Sequence, residues 1–250
     1  MNAQERVSGK QLIIAIDHGL SFPEIEGLEQ PMETLQELAS LPQADGLIAT
    51  PGMYRQAQRK HIPLEKLRRF ITVDCVLADE GGRLEQRETL ISPEDAMEYQ
   101  PDCYKMFFNM YADSRELMCN VQDLNRYIVA GARLGVQTLA EIMFYNNERF
   151  AQPHYQAAEL YKGCRMAMEL GADLLKIPII EDTDAMGEII ERVQLPTYIL
   201  GGPSCKSVDE LLAVLARLKG LPIEGFMFGR NLWQHGDMTA RVERIAQLIH

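Results

Sequence analysis

The segment GADLLKIP, residues 171–178, determines how the rest of the chain is interpreted. It is short, apolar and bounded by glycine and proline, so it predicts a buried β-strand rather than a helix. Lys176 lies near the C-terminal end of this strand, where an unpaired ammonium is costly to bury. Lys176 is therefore either an amine with a lowered pKa that forms a Schiff base, or a structural lysine that forms a salt bridge or snorkels to solvent.

Strand candidates alternate with helix candidates along the whole chain. Besides the strand that holds Lys176, the predicted strands are residues 12–17, 45–50, 70–77, 103–109, 136–143, 197–200 and 223–228. Eight strands, each followed by a helix, predict an α/β fold in which residues 1–250 form a single parallel (β/α)8 TIM barrel. An open doubly wound sheet is the alternative, but the first strand lacks the Gly-x-Gly-x-x-Gly turn of that fold.

Residues 78–101 interrupt this alternation. The segment is highly charged and contains two adjacent glycines, so it predicts an inserted loop, followed by a short helix that Ser92 caps and Pro93 begins. The other predicted helices are residues 34–39, 54–69, 114–134, 154–170, 185–193, 207–218 and 238–249, with an interruption at Pro63 in the second of them.

Charge and composition exclude several classes of partner. The 250 residues have a formal net charge of −11, which disfavours nucleic acids and anionic membrane surfaces but still permits a phosphorylated substrate. No apolar run is long enough to span a bilayer and residues 1–10 are polar, so we expect a cytoplasmic protein with no membrane partner. Five widely spaced cysteines predict reduced thiols, and the scattered histidines predict no metal site.

Several predicted strands carry one ionisable residue near the C-terminal end, although parallel strands buried on both faces are usually apolar. These residues are Asp17, Asp74, Lys105, Glu141 and Lys176. In a barrel all C-terminal strand ends point to one mouth, where barrel enzymes have their active sites. We therefore expect the five groups to converge. Close approach of the two lysines would lower the pKa of one of them, and the carboxylates would oppose that change. The alternative is a polar network with a purely structural role.

Glycines follow the last two predicted strands, where barrels often bind phosphate. Gly201 and Gly202 follow one strand, and Gly229 and Arg230 follow the other. Glycine lets backbone N–H groups approach an oxyanion, and arginine can bind the oxyanion with two hydrogen bonds. A tight turn is the alternative for any single glycine pair, but the two motifs together with an arginine favour a phosphate site.

Two further side chains are expected at the same mouth. His18 directly follows Asp17 at the end of the first strand, where it can contact a substrate. Tyr145 follows the fifth strand, and strand alternation would place its side chain on the same face as Glu141. From position alone, a tyrosine there is either a proton donor or a packing residue.

The residues collected above resemble the class I aldolases of the deoxyribose-phosphate and tagatose-bisphosphate aldolase superfamily. The most similar branch is that of the archaeal-type, or DhnA-type, fructose-bisphosphate aldolases. The segments that carry the resemblance are IAIDHG (14–19), LLKIP (174–178), LGGP (200–203) and FGRNLWQ (228–234). The last segment is the most specific, because several unusual residues occur in order, and the match extends from the first strand to the eighth.

This resemblance implies roles for individual residues. Lys176 corresponds to the Schiff-base lysine, and Asp17 corresponds to the carboxylate near the reacting carbons. Tyr145 falls where the fructose-bisphosphate branch has a catalytic tyrosine, although the proline and glycine that usually follow are absent. Lys105 is similar instead to the strand-four lysine of the tagatose-bisphosphate and sulfosugar aldolases.

The resemblance implies a class I aldolase that needs neither a metal nor a cofactor and acts on a phosphorylated ketose or a related keto compound. The expected proton shuttle is Tyr145 with Asp17 or Glu141. Two rival functions stay open: an acyl-transferring, thiolase-like member of the same family, and a non-catalytic barrel that binds a phosphorylated metabolite. Because related barrels commonly form homo-oligomers, we also expect a homo-oligomer.

Overall fold

The computed structural model describes residues 9–22, 24–78, 84–110, 114–144, 156–202, 204–205, 207–234 and 236–249. Its strands are β1 (Gln11–Ala15), β2 (Gly46–Ala49), β3 (Arg68–Thr72), β4 (Asp74–Ala78), β5 (Leu84–Thr89), β6 (Cys103–Asn109), β7 (Gln137–Met143), β8 (Leu174–Ile177), β9 (Thr197–Leu200) and β10 (Gly225–Phe228). Eight of them hydrogen-bond in the order β1-β10-β9-β8-β7-β6-β3-β2 and close into a parallel barrel. The predicted (β/α)8 barrel is therefore confirmed.

Helices cover the outside of the barrel. They are α1 (Pro31–Ser40), α2 (Pro51–Arg59), α3 (Pro93–Ala96), α4 (Ser114–Leu134), α5 (Ala157–Leu170), α6 (Thr183–Val193), α7 (Val208–Leu218), α8 (Arg230–Trp233) and α9 (Met238–Ile249). Two predicted caps are confirmed, because the hydroxyls of Ser92 and Ser207 accept the N–H groups of Asp95 and Glu210. No helix in the described part of the chain has the length and apolar content to cross a membrane.

Two predicted boundaries are wrong. β1 ends at Ala15, and Asp17 instead begins a 3-10 turn that ends at Leu20. The second helix runs from Pro51 to Arg59 and does not continue to residue 69. His61 follows it with a φ of 53°, which a right-handed helix does not permit, and Pro63 lacks the N–H needed to resume the helix.

Side chains from alternate strand positions fill the interior of the barrel. They form a cluster that is separate from the larger core between strands and helices: Ile13, Ala15, Ile48, Phe70, Cys103, Leu139, Leu174, Tyr198 and Met227. Strand residues two positions apart face the same side of a sheet. The inward face of β6, β7 and β8 therefore changes from apolar to charged within one step towards the mouth, at Lys105, Glu141 and Lys176.

The third predicted strand, residues 70–77, is two elements rather than one. The barrel strand ends at Thr72, and β4 leaves the barrel to pair antiparallel with β5 in a hairpin. β5 lies within the segment that was expected to be a loop. Asp74 explains the departure, because its buried carboxylate is 2.6 Å from the Nε of Arg87 on β5 and accepts the N–H of Phe107 at 2.9 Å.

Arg87 also binds the barrel's helical layer, since its Nη1 donates to Asp123 of α4 at 3.0 Å.

Replacing Arg87 with methionine should cost about 3 kcal/mol in the free energy of unfolding, because Asp74 is left buried without its cation. Arg126→Met is the matched control. Arg126 contacts the same Asp123 at 3.1 Å, but it is 53% exposed, so its loss should cost less than about 1 kcal/mol. Urea unfolding measures both, and equal effects would contradict this account.

Candidate active site

Lys105, Glu141 and Lys176 come from neighbouring strands and meet inside the barrel mouth. Glu141 lies directly beside Lys176 in the sheet register, and Lys105 lies one inward-facing position lower, beside Leu139. The Glu141 carboxylate bridges the two lysines: Oε1 is 2.7 Å from the Nζ of Lys176, and Oε2 is 2.8 Å from the Nζ of Lys105. None of the three residues is more than 6% exposed, so these ion pairs are shielded from water.

Asp17 extends the line of charges from the other side of the mouth. Its Oδ2 lies 3.1 Å from the Nζ of Lys105. Thr72, which is the register partner of Lys105 at the end of β3, donates its hydroxyl to the same oxygen at 2.7 Å. Positive and negative groups therefore alternate across the mouth, with two of each sign.

This alternation keeps Asp17, Lys105 and Glu141 charged despite their burial. Burial lowers the pKa of Lys105, but Asp17 and Glu141 outweigh it and hold the pKa above its ordinary value. Burial raises the pKa of Glu141, but the two lysines outweigh it and hold that pKa below its ordinary value. Burial also raises the pKa of Asp17, and Lys105 and His18 outweigh it, so this pKa is low as well. The carboxylates therefore oppose any lowering of the Lys105 pKa by Lys176, as expected, and the Glu141 carboxylate lies between the two lysines.

Asp74 does not join this group, and the expectation that five charges converge is wrong for it. The change of direction after Thr72 places Asp74 in the hairpin, against Arg87. Burial raises the pKa of Asp74 to about 6, with Arg87 acting in the opposite direction. Asp74 is therefore a structural residue that fixes the hairpin beside the mouth.

The glycine-rich segments lie at the ends of β9 and β10 and line the same cavity as Lys176. Gly202 has a φ of 62°, a left-handed conformation that favours glycine. Arg230 is half-buried and donates to the Gly202 carbonyl at 3.4 Å. Burial lowers the pKa of Arg230, and no carboxylate of the described residues lies within ion-pair distance of it. A half-buried guanidinium without a carboxylate partner is suited to bind an anion.

Asn231 joins the two glycine-rich segments. Its Nδ2 donates to the Gly201 carbonyl at 2.7 Å, and its Oδ1 accepts the N–H of Cys205, also at 2.7 Å. Asn231 is 1% exposed, so it cannot exchange these partners for water without opening the loop. It therefore fixes the shape of the cavity wall that contains Gly201 and Arg230.

We call Asp17, Lys105, Glu141 and Lys176 the charged line, and the segments around Gly201, Gly202, Gly229 and Arg230 the glycine wall. His18 packs between them. A Cβ on Gly229 would lie 2.4 Å from the His18 Cε1, so only glycine permits this approach. The His18 ring also meets the Trp233 ring edge-on, with 5.3 Å between centroids. Burial lowers the pKa of His18 to about 4, although Asp17 acts in the opposite direction. His18 is therefore neutral at pH 7 and can contribute hydrogen bonds but no charge.

One cavity of about 680 Å³ connects these parts. The charged line and the glycine wall occupy its floor and one side. The apolar part of its lining includes Phe22, Phe107 and Met143, which pack against Val76. Tyr145, which was expected at this mouth, lies outside the described residues. No group of three or more His, Cys, Asp or Glu side chains in the described ranges could hold a metal ion.

The family model for the DeoC/LacD family aldolases matches residues 11–235. The chain belongs to this family. The resemblance inferred from the sequence motifs is therefore confirmed, and membership of the DeoC/LacD family indicates a lyase-type enzyme.

Curated relatives of this DeoC/LacD family member are distant but extend over most of the chain. An uncharacterised aldolase of Saccharolobus solfataricus is 23% identical, and the match covers 97% of this chain and 90% of that protein. The 2-amino-4,5-dihydroxy-6-oxo-7-(phosphonooxy)heptanoate synthase of Streptomyces griseus is also 23% identical, over 95% of this chain and 84% of that protein.

A solved structure of a Schiff-base-forming fructose-1,6-bisphosphate aldolase superposes on the barrel with a TM-score of 0.82. It is 20% identical, and the match covers 97% of this chain and 95% of that chain. At this identity the likeness establishes that the two proteins share a fold.

Three residues of the site were not singled out from the sequence. Thr72 and Phe107 lie within predicted strands, and Asn231 directly follows Arg230. Strand alternation could have predicted that Thr72 and Phe107 face inward. Phe107, for example, lies two positions after Lys105 and therefore on the same face. Asn231 belongs to the FGRNLWQ segment, but its role was not predicted, because its partners lie 26 and 30 residues away.

The lowered pKa of His18 predicts a specific pH dependence of stability. Its ordinary value of 6.5 holds in the unfolded chain, which therefore binds more protons than the folded protein between about pH 6.5 and pH 4. The stability that the neutral imidazole contributes is complete above pH 6.5 and is lost as the pH falls towards 4. His18→Gln should remove this part of the acid sensitivity in urea unfolding measured from pH 7 to pH 4. An unchanged pH profile would contradict the assignment.

Proposed function

We propose that this DeoC/LacD family protein is a class I aldolase that forms a Schiff base through Lys176 and needs no metal ion. The observation that carries the proposal is the position of Lys176, which lines the cavity with its Nζ 2.7 Å from an oxygen of Glu141. Lys105 is the less suitable nucleophile, because two carboxylates hold it as an ammonium.

The reaction begins when the Glu141 carboxylate takes the excess proton of Lys176 and the free amine attacks the substrate carbonyl. The same proton returns to the carbinolamine hydroxyl, which leaves as water and gives an iminium ion. A base then removes the proton of the hydroxyl on the β-carbon, the bond between the α- and β-carbons breaks, and its electron pair neutralises the iminium to give an enamine and a free aldehyde. Protonation of the enamine carbon and hydrolysis of the new iminium release the second product. The synthetic direction reverses these steps.

Glu141 is the proposed base, because it is the carboxylate in contact with Lys176. Its lowered pKa keeps it ionised in the resting site. Lys105 and Asp17 are proposed to hold it in position and to stabilise the oxyanion of the reacting substrate. Tyr145 stays a proposed partner in the proton transfer, on the basis of the family resemblance alone.

The substrate is proposed to be a phosphorylated ketose or a related keto compound. Gly201, Gly202, Gly229 and Arg230 are proposed to bind its phosphate, with His18 as a neutral hydrogen-bonding neighbour. The half-buried guanidinium without a carboxylate partner among the described residues supports this role. A phosphonooxy group also appears in the name of the compound made by the Streptomyces griseus relative.

Borohydride trapping tests the Schiff base. Incubation with a keto phosphate, such as dihydroxyacetone phosphate, and borohydride should inactivate the enzyme and add the reduced substrate mass to the peptide that contains Lys176. Lys176→Arg should abolish trapping, because a guanidinium stays protonated and cannot attack. Lys162→Arg, on the exposed face of α5, is the control and should trap normally. An adduct on Lys105 instead would mean that Lys105 is the nucleophile and that Lys176 has the supporting role.

The same preparation separates the rival functions. Activity that survives EDTA and does not need coenzyme A supports the aldolase. A requirement for coenzyme A would identify an acyl transferase, and the absence of any adduct across a panel of keto substrates would indicate a binding protein.

Arg230→Ala tests the phosphate site. It should reduce kcat/KM for phosphorylated substrates by about 10- to 150-fold and spare unphosphorylated analogues, since a charge-assisted hydrogen bond contributes about 1.5–3 kcal/mol. For Arg230→Lys, kcat/KM for phosphorylated substrates should fall between the values for the wild-type enzyme and Arg230→Ala, because the charge is kept but the paired hydrogen bonds are lost. Equal losses for both substrate types would remove Arg230 from this role.

We also propose a single-domain, cytoplasmic homo-oligomer without a nucleic-acid partner. Exposed apolar residues on the hairpin and on α4 support an oligomer, because Leu77 and Met118 are each 56% exposed. Light scattering should give a multiple of the 28.3 kDa chain mass. A monomer at micromolar concentration would reject the proposed assembly.

A further inference from the structure

The order of the strands places the two sides of the mouth opposite each other. In the closed ring β6 is the fourth strand from β10, and β3 is the fourth strand from β9. The glycine wall at β9 and β10 therefore faces β6 and the hairpin that follows β3. β8 with Lys176 and β7 with Glu141 lie between the two sides. A substrate that bridges the mouth would have its reacting carbons near the middle.

The side that faces the glycine wall is apolar. Phe22, Val76, Phe107 and Met143 pack against one another and line the cavity. The cluster begins directly beside the charged line, because the Nζ of Lys105 lies 3.3 Å from the centre of the Phe107 ring. We call these four residues the apolar wall.

The apolar wall is held in place by buried polar contacts. Asp74 accepts the N–H of Phe107 at 2.9 Å, which joins the hairpin to β6. Arg87 pairs with Asp74 and also with Asp123 of α4. Val76, which is 1% exposed, is therefore fixed against the mouth.

In the described part of the chain, the apolar wall offers no partner for a second anionic group. All four of its side chains are uncharged, and the neighbouring cation, Lys105, is already paired with two carboxylates. A phosphate placed there would lose its hydration without gaining an ion pair, which is strongly unfavourable. An alkyl group would gain contact with two aromatic rings and two aliphatic side chains.

We propose that the apolar wall is a specificity subsite that binds an uncharged, apolar group at the end of the substrate remote from its phosphate. The substrate is accordingly a monophosphate, and the aldehyde released or consumed carries an apolar substituent rather than a second phosphate. The orientation of the substrate rests on the proposed function, in which the phosphate occupies the glycine wall and Lys176 the centre.

Two probes that differ only at one end test this subsite. Hexyl phosphate and hexane-1,6-diol bisphosphate have the same chain, and neither has a carbonyl, so binding does not require Schiff-base formation. Isothermal titration calorimetry on the wild-type enzyme should give a Kd for hexyl phosphate about tenfold or more below that for the bisphosphate. Equal affinities, tighter binding of the bisphosphate, or no measurable binding of hexyl phosphate would overturn the inference.

Substitutions in the apolar wall test whether these residues cause the preference for hexyl phosphate over the bisphosphate. Phe22→Arg places a cation in the apolar wall and should abolish or reverse the ratio of the two Kd values. Met143→Lys is a second variant with the same expectation, should Phe22→Arg fail to fold. Leu134→Arg is the matched control, because this exposed residue ends α4 at the opposite end of the barrel, and the ratio should not change. A ratio unaltered by both wall variants would contradict the assignment.

Borohydride trapping on the same wild-type preparation separates the two proposals. A Lys176 adduct together with a preference for the bisphosphate would refute the apolar subsite and leave the Schiff base intact. A preference for hexyl phosphate without any adduct would keep the apolar subsite and refute the proposed reaction.

Discussion

The buried Glu141 carboxylate between Lys105 and Lys176 is the interaction on which the rest of the mouth depends. Burying an ionised group costs several kcal/mol unless an opposite charge and hydrogen bonds compensate. Here each carboxylate oxygen contacts one lysine nitrogen, at 2.7 and 2.8 Å, and Asp17 supplies the second negative charge. Removal of any member would leave an uncompensated charge in the barrel. The register of β6, β7 and β8, the 3-10 turn after β1 and the Thr72 hydroxyl all serve to hold this balance.

The balance of positive and negative charges around Glu141 also fits the proposed reaction. An iminium on Lys176 carries the same single positive charge as the resting ammonium, so imine formation leaves the charges around Glu141 unchanged. Cleavage of the carbon–carbon bond converts the iminium to a neutral enamine, and Glu141 then keeps only Lys105 as a cationic partner. Its affinity for a proton rises at that moment. Glu141 therefore becomes a stronger base in the step in which it receives a proton. The charged groups of the site thus stabilise the charge where it develops during the reaction.

The sequence predicts the barrel and most of its mouth because both follow from local patterns. Lys105, Glu141 and Lys176 interrupt apolar strands at inward-facing positions, Lys105 at the third residue of β6 and the other two nearer the C-terminal ends of β7 and β8. That shared inward placement was sufficient to bring them together. The hairpin was missed because residues 70–77 form one mostly apolar run in which Asp74 is the single charged residue, and nothing local marks the end of the barrel strand at Thr72. The break depends on Arg87, a contact 13 residues from Asp74 that strand alternation does not reveal. The apolar wall likewise requires three-dimensional packing between residues of separate elements.

The rate of Schiff-base formation in a Glu141→Gln variant tests the central role of this carboxylate most directly. Glutamine keeps the size of the side chain but removes its charge and its basicity. Rapid-quench borohydride trapping with a keto phosphate, under single-turnover conditions, measures how fast the adduct appears on Lys176. The account predicts a rate about 100-fold or more below that of the wild-type enzyme, because a positioned general base is lost. Trapping at the wild-type rate would contradict it.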